Sequence, residues 1–272
     1  MIRVYLSGDP VHDRVLRAFA EGCNGQLVEG WQYEPSAVAV IFGVYKSRVP
    51  KSFPRGEIFR RQRDKNLDVV VLETGYINRG DGENHHYAAG FNGLNGRADF
   101  RNQEMPDDRV KKLAVGLGAW REGNYILLCG QIPWDASCEN SDHNVWLQAS
   151  AERLKGYSSR PIKYRPHPLL PAQFVQPIDG VELSTAPLVK DLADAHCVVT
   201  YNSNTGVDAL LAGVPVFAHD QGSMVWSLAN RSLISVDVPN RPDRSQWLSD
   251  LCYAQWTLDE MRSGETWRHL VR

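Results

Sequence analysis

Residues 198–218 read VVTYNSNTGVDALLAGVPVFA. The β-branched run Cys197–Thr200 predicts a buried strand. Tyr201, Asn202, Ser203 and Asn204 then form a polar, turn-forming loop. Thr205 and Gly206 open an apolar helix running to Ala212, Gly213 stops it, and Val214–Phe217 return as a strand. A strand, a small polar loop and a helix N-terminus together make an anion site, because backbone N–H groups and the positive end of the helix dipole converge there. In an open α/β sheet such a loop lies at the strand carboxyl ends, where ligands bind. The stretch therefore implies a phosphorylated small molecule.

The surrounding chain sets the bounds. Its 272 residues are enough for two small domains. A hydrophobic content of 43% with 23% charged residues is that of an ordinary globular protein. No apolar run approaches the roughly 20 residues of a membrane span. MIRVYLSGDP at the N-terminus is too short and polar for a signal peptide and reads as a first strand. The five cysteines show no CxxC pairing, so they read as buried free thiols in a reducing compartment and place the protein in the cytoplasm.

Along the chain, strands at 2–6, 37–42 and 68–72, ending at Glu73, alternate with helices over 13–21 and 55–65. A second series has strands at 124–129 and 162–165 and helices over 142–155 and 187–195, then the opening stretch, with later helices over 246–255 and from Leu258. This alternation predicts an α/β protein of two Rossmann-like domains facing a cleft. The division is residues 1–115 and 116–272, with the C-terminal helices able to return to the first domain. Between Thr74 and Met105 the pattern collapses into a Gly-, Asn- and His-rich loop, a length that marks function more often than simple connection.

Several groups carry candidate chemistry. Arg165, Pro166, His167 and Pro168 follow a strand end; a forked guanidinium beside a restrained imidazole suits a diphosphate, although a strand-end histidine also serves as an ordinary surface hydrogen-bonding residue. Asn202, Ser203, Asn204, Thr205 and Gly206 offer donors to phosphate, and Asp208 offers a carboxylate to ribose hydroxyls or, as TxxD, a helix capping box. Gln131, with Trp134, follows the strand at 124–129, where it holds a sugar or base or is plain surface loop. Glu73, Asp99 and His86 are candidate bases; Glu73 also fits a buried carboxylate accepting loop N–H groups. Asp81, Glu83, His85 and His86 form an alternative metal set, but close spacing on a loop favours solvation. Lys46, Arg48, Lys51, Arg55, Arg60 and Arg61, interleaved with Tyr45, Phe53 and Phe59, make a basic aromatic patch suited to nucleic acid or to a solvated helix face. A net charge of −2 confines any nucleic-acid contact to such a patch.

The PHP segment at 166–168, followed by S-x-T-G-x-D-A-L-x-x-G-x-P-V from Ser203 to Val216, resembles GT-B-type glycosyltransferases. It is most similar to the Kdo-transferase and capsular-polysaccharide group and to phage-encoded sugar transferases. Asn92–Phe100 and Tyr253–Trp267 resemble phage members. The resemblance lies mainly over 125–267. It implies a nucleotide-sugar held by the C-terminal domain, with His167 and Ser203–Gly206 on the donor phosphates; the group often has Glu where this chain has Asp208.

The expectation is thus a metal-independent glycosyltransferase using a nucleotide-diphosphate sugar, a UDP-sugar as co-substrate, with no other cofactor. The expected acceptor is DNA carrying a hydroxymethylated base. A capsular or lipid-linked saccharide, a non-catalytic nucleotide-binding module and a sugar-nucleotide epimerase are the alternatives.

Overall fold

Adjacent strand residues in the first half turn to opposite faces. Val4, Val40 and Val70 pack into one cluster, whereas Tyr5, Ile41 and Val71 pack into another. That period of two, with both faces apolar, is what a sheet covered by helices on both sides requires. The structure, a computed structural model, describes residues 1–30, 32–44, 55–80, 82–138 and 142–272.

In chain order the elements are β1 (Ile2–Tyr5), α1 (Pro10–Cys23), β2 (Gln26–Val28), β3 (Val38–Phe42), α2 (Arg55–Asp64), β4 (Asp68–Thr74), β5 (Tyr87–Phe91) and α3 (Asp108–Lys112). They continue as β6 (Tyr125–Cys129), α4 (His143–Tyr157), β7 (Ile162–Arg165), β8 (Glu182–Leu183), α5 (Leu188–Ala193), β9 (Ala195–Thr200), α6 (Thr205–Ala212) and β10 (Val216–Ala218). The chain then adds α7 (Ser245–Cys252), β11 (Gln255–Trp256), α8 (Leu258–Arg262) and α9 (Glu265–Leu270). It folds as two units, Met1–Ala114 with Gln246–Arg272, and Val115–Ser245.

The first unit holds a sheet of order β11-β5-β4-β3-β1-β2, parallel from β2 to β4. β5 runs antiparallel to β4, and β11 antiparallel to β5. The second unit holds the all-parallel sheet β10-β9-β6-β7-β8. Two mainly parallel sheets under helices establish the α/β, GT-B-like class expected above. Among the described residues no helix is long and apolar enough to cross a membrane. All five cysteines are buried and free; burial pushes the Cys129 thiol up to about 12 and that of Cys23 to about 11.

Two elements differ from expectation. The loop predicted from Thr74 to Met105 contains β5, whose five residues are all buried. Tyr-Ala-Ala-Gly-Phe has no β-branched residue, and its strand state comes from pairing with β4 on one edge and β11 on the other. The helix predicted over 246–255 ends at Cys252, and Gln255–Trp256 pair with Tyr87 and Ala88 instead.

Arg109 fastens this C-terminal return. Its buried guanidinium donates to the Cys252 carbonyl (2.9 Å), the Gln255 carbonyl (2.9 Å) and both Glu260 oxygens (2.8 and 3.2 Å), and lies 4.1 Å over the Trp256 ring. Lys112 Nζ adds 2.6 Å to Glu260, whose Oε2 also accepts the Thr257 N–H in a capping box. Burial pushes the Glu260 carboxyl upward, but the Arg109 and Lys112 hydrogen bonds outweigh it and hold the group at about 2. A folded pKa below the unfolded one stabilises the fold above the ordinary glutamate value, and that gain is lost as pH falls toward about 2. Unfolding free energy is therefore expected to drop by about 3 kcal/mol across that window in the wild type and to change less in Glu260→Gln. Urea unfolding over the acid range measures this; parallel pH profiles for the two proteins would sink the assignment.

Gly213 ends α6 with φ 79°, and a Cβ there would fall 2.0 Å from the Ala119 carbonyl oxygen. Gly213→Ala is accordingly expected to lose about 1–3 kcal/mol. An unchanged urea midpoint would contradict that reading.

Candidate functional site

In the second unit the loop after β9 is held from beneath by an amide pair. Gln131 Nε2 donates to Asn202 Oδ1 (2.8 Å), and the Asn202 N–H donates to Gln131 Oε1 (2.9 Å). Asn202 Nδ2 donates to the Ser137 carbonyl (2.6 Å) and Asp220 Oδ1 (2.8 Å), while the Gln131 N–H donates to His143 Nε2 (2.8 Å). Both amides are buried, so each polar group lost here would be left dry. The pair ties the ends of β6 and β9 together. Gln131 and Asn202, expected to touch a ligand, are thus engaged in shaping the loop. Ser137, His143 and Asp220 were missed, since Asp220 adjoins the loop only through strand pairing.

Above the pair, Ser203, Asn204, Thr205 and Asp208 are half-buried. Ser203 N–H donates to Thr200 Oγ1 (3.1 Å), Thr205 N–H to Ser203 Oγ (3.2 Å) and Gly206 N–H to the Ser203 carbonyl (3.0 Å). These three N–H groups, expected to point at a ligand, are satisfied within the loop. The Ser203 and Thr205 hydroxyls lie 3.2 Å apart at the positive end of α6. The expected Thr205–Asp208 capping box does not form: Asn204 holds the N-cap position and makes no side-chain cap bond, and Thr205 is already helical.

His167 follows β7. Its Nδ1 accepts the Leu169 N–H (3.1 Å), so the neutral ring carries its proton on Nε2, a phosphate donor. Burial holds the imidazole below its ordinary pKa; Asp135 pulls it up and Arg165 down. Arg165 is less available than expected, because its guanidinium pairs with the buried Asp191 (2.7 Å) and the Ala186 carbonyl.

In the first unit Glu73 and His86 lie at the same end of the sheet, since Glu73 opposes Ala88 and Thr74 opposes Tyr87. Glu73 is half-buried, with Oε1 accepting the Thr74 N–H (2.8 Å). A Cβ on Gly43 would lie 3.3 Å from Glu73 Oε2 and 3.4 Å from an Arg55 guanidinium nitrogen, so that glycine leaves room for both groups. Near them, Asp9 accepts the Val11 and His12 N–H groups, and the His12 ring stacks on Phe42 at 4.1 Å. The His12 N–H bond contributes most to lowering the Asp9 pKa, with His12 and Arg55 charges adding to it. Sequence reasoning missed His12, because nothing local announces that the β1–α1 turn meets the ends of β3 and β4. His86 is buried and, chiefly by burial, has a lowered pKa. Asp99 belongs elsewhere. It bridges to Phe91, three positions along β5 from Ala88 and so roughly 10 Å toward the other end of the sheet. Its carboxylate holds Arg101 instead (3.0 and 3.1 Å).

The basic patch is altered as well. Arg55 is buried and donates to the Phe42 carbonyl, so it is no surface contact. Arg60 pairs with Glu57 and Asp64, and Arg61 with Glu57, across one turn of α2. Lys46, Arg48 and Lys51, with Tyr45 and Phe53, lie outside the described residues, as does Asp81 of the metal set. His85 Nδ1 accepts the Gly82 N–H (2.7 Å), and among the described residues no three acidic, histidine or cysteine side chains group as metal ligands.

No protein-family model and no curated protein sequence matches the chain. Two solved structures from Thermosulfurimonas dismutans share its fold. One is KpsC, beta Kdo 2,4 transferase, with TM-score 0.58 and 14% identity over 93% of this chain and 89% of that one. The other is KpsC, beta Kdo 2,7 transferase, with TM-score 0.57 and 14% identity over 97% of this chain and 98% of that one.

The amide pair makes a direct prediction. Asn202→Leu strands the Gln131 side chain and is expected to cost about 1–3 kcal/mol and to speed amide exchange at 203–206. Native-like protection at those four amides in the variant would refute the supporting role given to the pair.

Proposed function

We propose that the chain transfers a sugar from a nucleotide-diphosphate sugar to a hydroxyl group of a saccharide. The observation that carries this reading is the loop at the start of α6, whose paired Ser203 and Thr205 hydroxyls adjoin a buried amide pair at the strand carboxyl ends. The fold it shares with two Kdo transferases supports the same reading. In this scheme the Ser203 and Thr205 hydroxyls and the His167 Nε2–H meet the departing diphosphate, aided by the α6 dipole. Asp208 accepts from the ribose hydroxyls. Phosphate charge is met by these groups without a catalytic metal. Glu73, beside Arg55, is the base that takes the proton of the attacking hydroxyl. The oxygen then bonds the anomeric carbon as the bond to the diphosphate breaks.

A saccharide acceptor is favoured over DNA for two reasons. Arg55 is buried, and Arg60 and Arg61 are already paired with carboxylates, so the described part of the basic patch offers little charge to phosphates. Both fold neighbours are also named as Kdo transferases, and neither name mentions nucleic acid.

The test is nucleoside-diphosphate release from a panel of UDP-sugars and other nucleotide-sugars, with capsular-type oligosaccharides or hydroxymethylated DNA as acceptor. Saccharide-dependent release, reduced about 10²–10⁴-fold by Glu73→Gln with donor binding intact, is the expected result. Donor binding without release for every acceptor would leave a nucleotide-binding module. Release with DNA alone would restore the nucleic-acid acceptor. A changed sugar recovered from donor alone would identify an epimerase.

A further inference from the structure

We propose that the second unit carries a separate binding site for a small organic anion with a flat apolar body, between α4 and the ends of β9 and β10. A cavity of about 140 Å³ opens there, walled by Trp146, Phe217 and Leu233 and rimmed by Arg153, His219 and Arg231. A void of about 150 Å³ with apolar walls accommodates a benzene ring.

It adjoins the loop at the start of α6 at Thr200, whose Oγ1 accepts the Ser203 N–H, but lies on the α4 side of the sheet. Trp146, Ala149, Ser150 and Arg153 stand three and four residues apart and so form one stripe of α4. That stripe covers the face of the sheet where Val199 and Phe217 pack with Trp146. The two arginines are what a bare apolar hollow would lack. Both are exposed, and among the described residues neither pairs with a carboxylate. Nearby acids are committed elsewhere: Glu152 to Lys155 (2.7 Å), Asp220 to Asn202 and the Gly222 N–H. Arg231 is held over the Trp226 ring at 4.5 Å, which fixes its head at modest entropic cost. The His219 ring sits 6.0 Å from Trp146 and 5.3 Å from Tyr201, extending the aromatic wall. Apolar walls select a ring and the two guanidinium groups select its charge, so a carboxylate or phosphate monoester of an aromatic or similarly flat group fits.

Isothermal titration calorimetry with phenyl phosphate tests this, with benzyl alcohol as the uncharged control and inorganic phosphate as the bare anion. One phenyl phosphate per chain is expected, bound at least about ten-fold more tightly than either control, with affinity falling as salt rises. Arg153→Gln with Arg231→Gln is expected to weaken it about ten-fold or more. Ala149→Trp, at an exposed helix position, is expected to abolish binding by filling the mouth while keeping both arginines. Three results would overturn the proposal: no saturable binding, binding unchanged in the arginine and Ala149 variants, or binding lost only in Ser203→Ala with Thr205→Ala. The last would put the anion on the loop, and sugar transfer could fail altogether without affecting any of these readouts.

Discussion

A guanidinium buried among carbonyls and the carboxylates of Glu260 and Glu265 cannot be left half-paired, because an uncompensated interior charge costs several kcal/mol. Arg109 meets that demand only when Cys252, Gln255 and Glu260 are all in place. Its side chain thus specifies where residues after 245 return, and that return supplies β11 to pair with β5 and helices α8 and α9 to pack against α1. The aromatic surfaces of Trp256 and Tyr253 enclose the same cation, at 4.1 and 5.4 Å. Charge, hydrogen bonding and apolar burial converge on one arrangement, which is how a polar core group confers specificity.

The same economy shapes the loop after β9. Its backbone donors are mostly used internally, so its shape is fixed before any ligand arrives. A loop prepared in this way presents hydroxyls and a helix end without paying the ordering entropy at binding. The buried Gln131–Asn202 pair is the device that makes this possible, and it joins two segments 71 residues apart.

Much of this was legible in the residues. Alternating apolar strands and capped helices marked β1, β3, β4, β6, β7 and β9, and the small polar turn before Thr205 marked the loop. The failures share a cause. β5 has weak strand propensity and becomes a strand only through neighbours, one of them more than 160 residues away in sequence. Gln131 and Asn202 looked like ligand donors because each was weighed alone, and a mutual bond between distant amides has no local signature. Arg55 looked like part of a basic surface because its neighbours are basic, yet the end of β3 offers it a carbonyl to turn toward. His12 and Asp99 show the same limit in opposite senses, since topology alone decides which end of a sheet a loop residue joins.

The split of the first unit around the second has a consequence for synthesis. Val115–Ser245 is one uninterrupted run, so it can close its sheet as soon as it leaves the ribosome. The earlier strands must wait. Until Gln255 and Trp256 emerge, β5 has an open edge, and the apolar face that α8 and α9 will cover stands bare. An unpaired edge beside exposed Phe91 and Tyr87 is a template for pairing with another nascent chain. The interval during which the ribosome translates the second unit is therefore when this protein is most exposed to aggregation, and slowing elongation there would lengthen the hazard rather than relieve it.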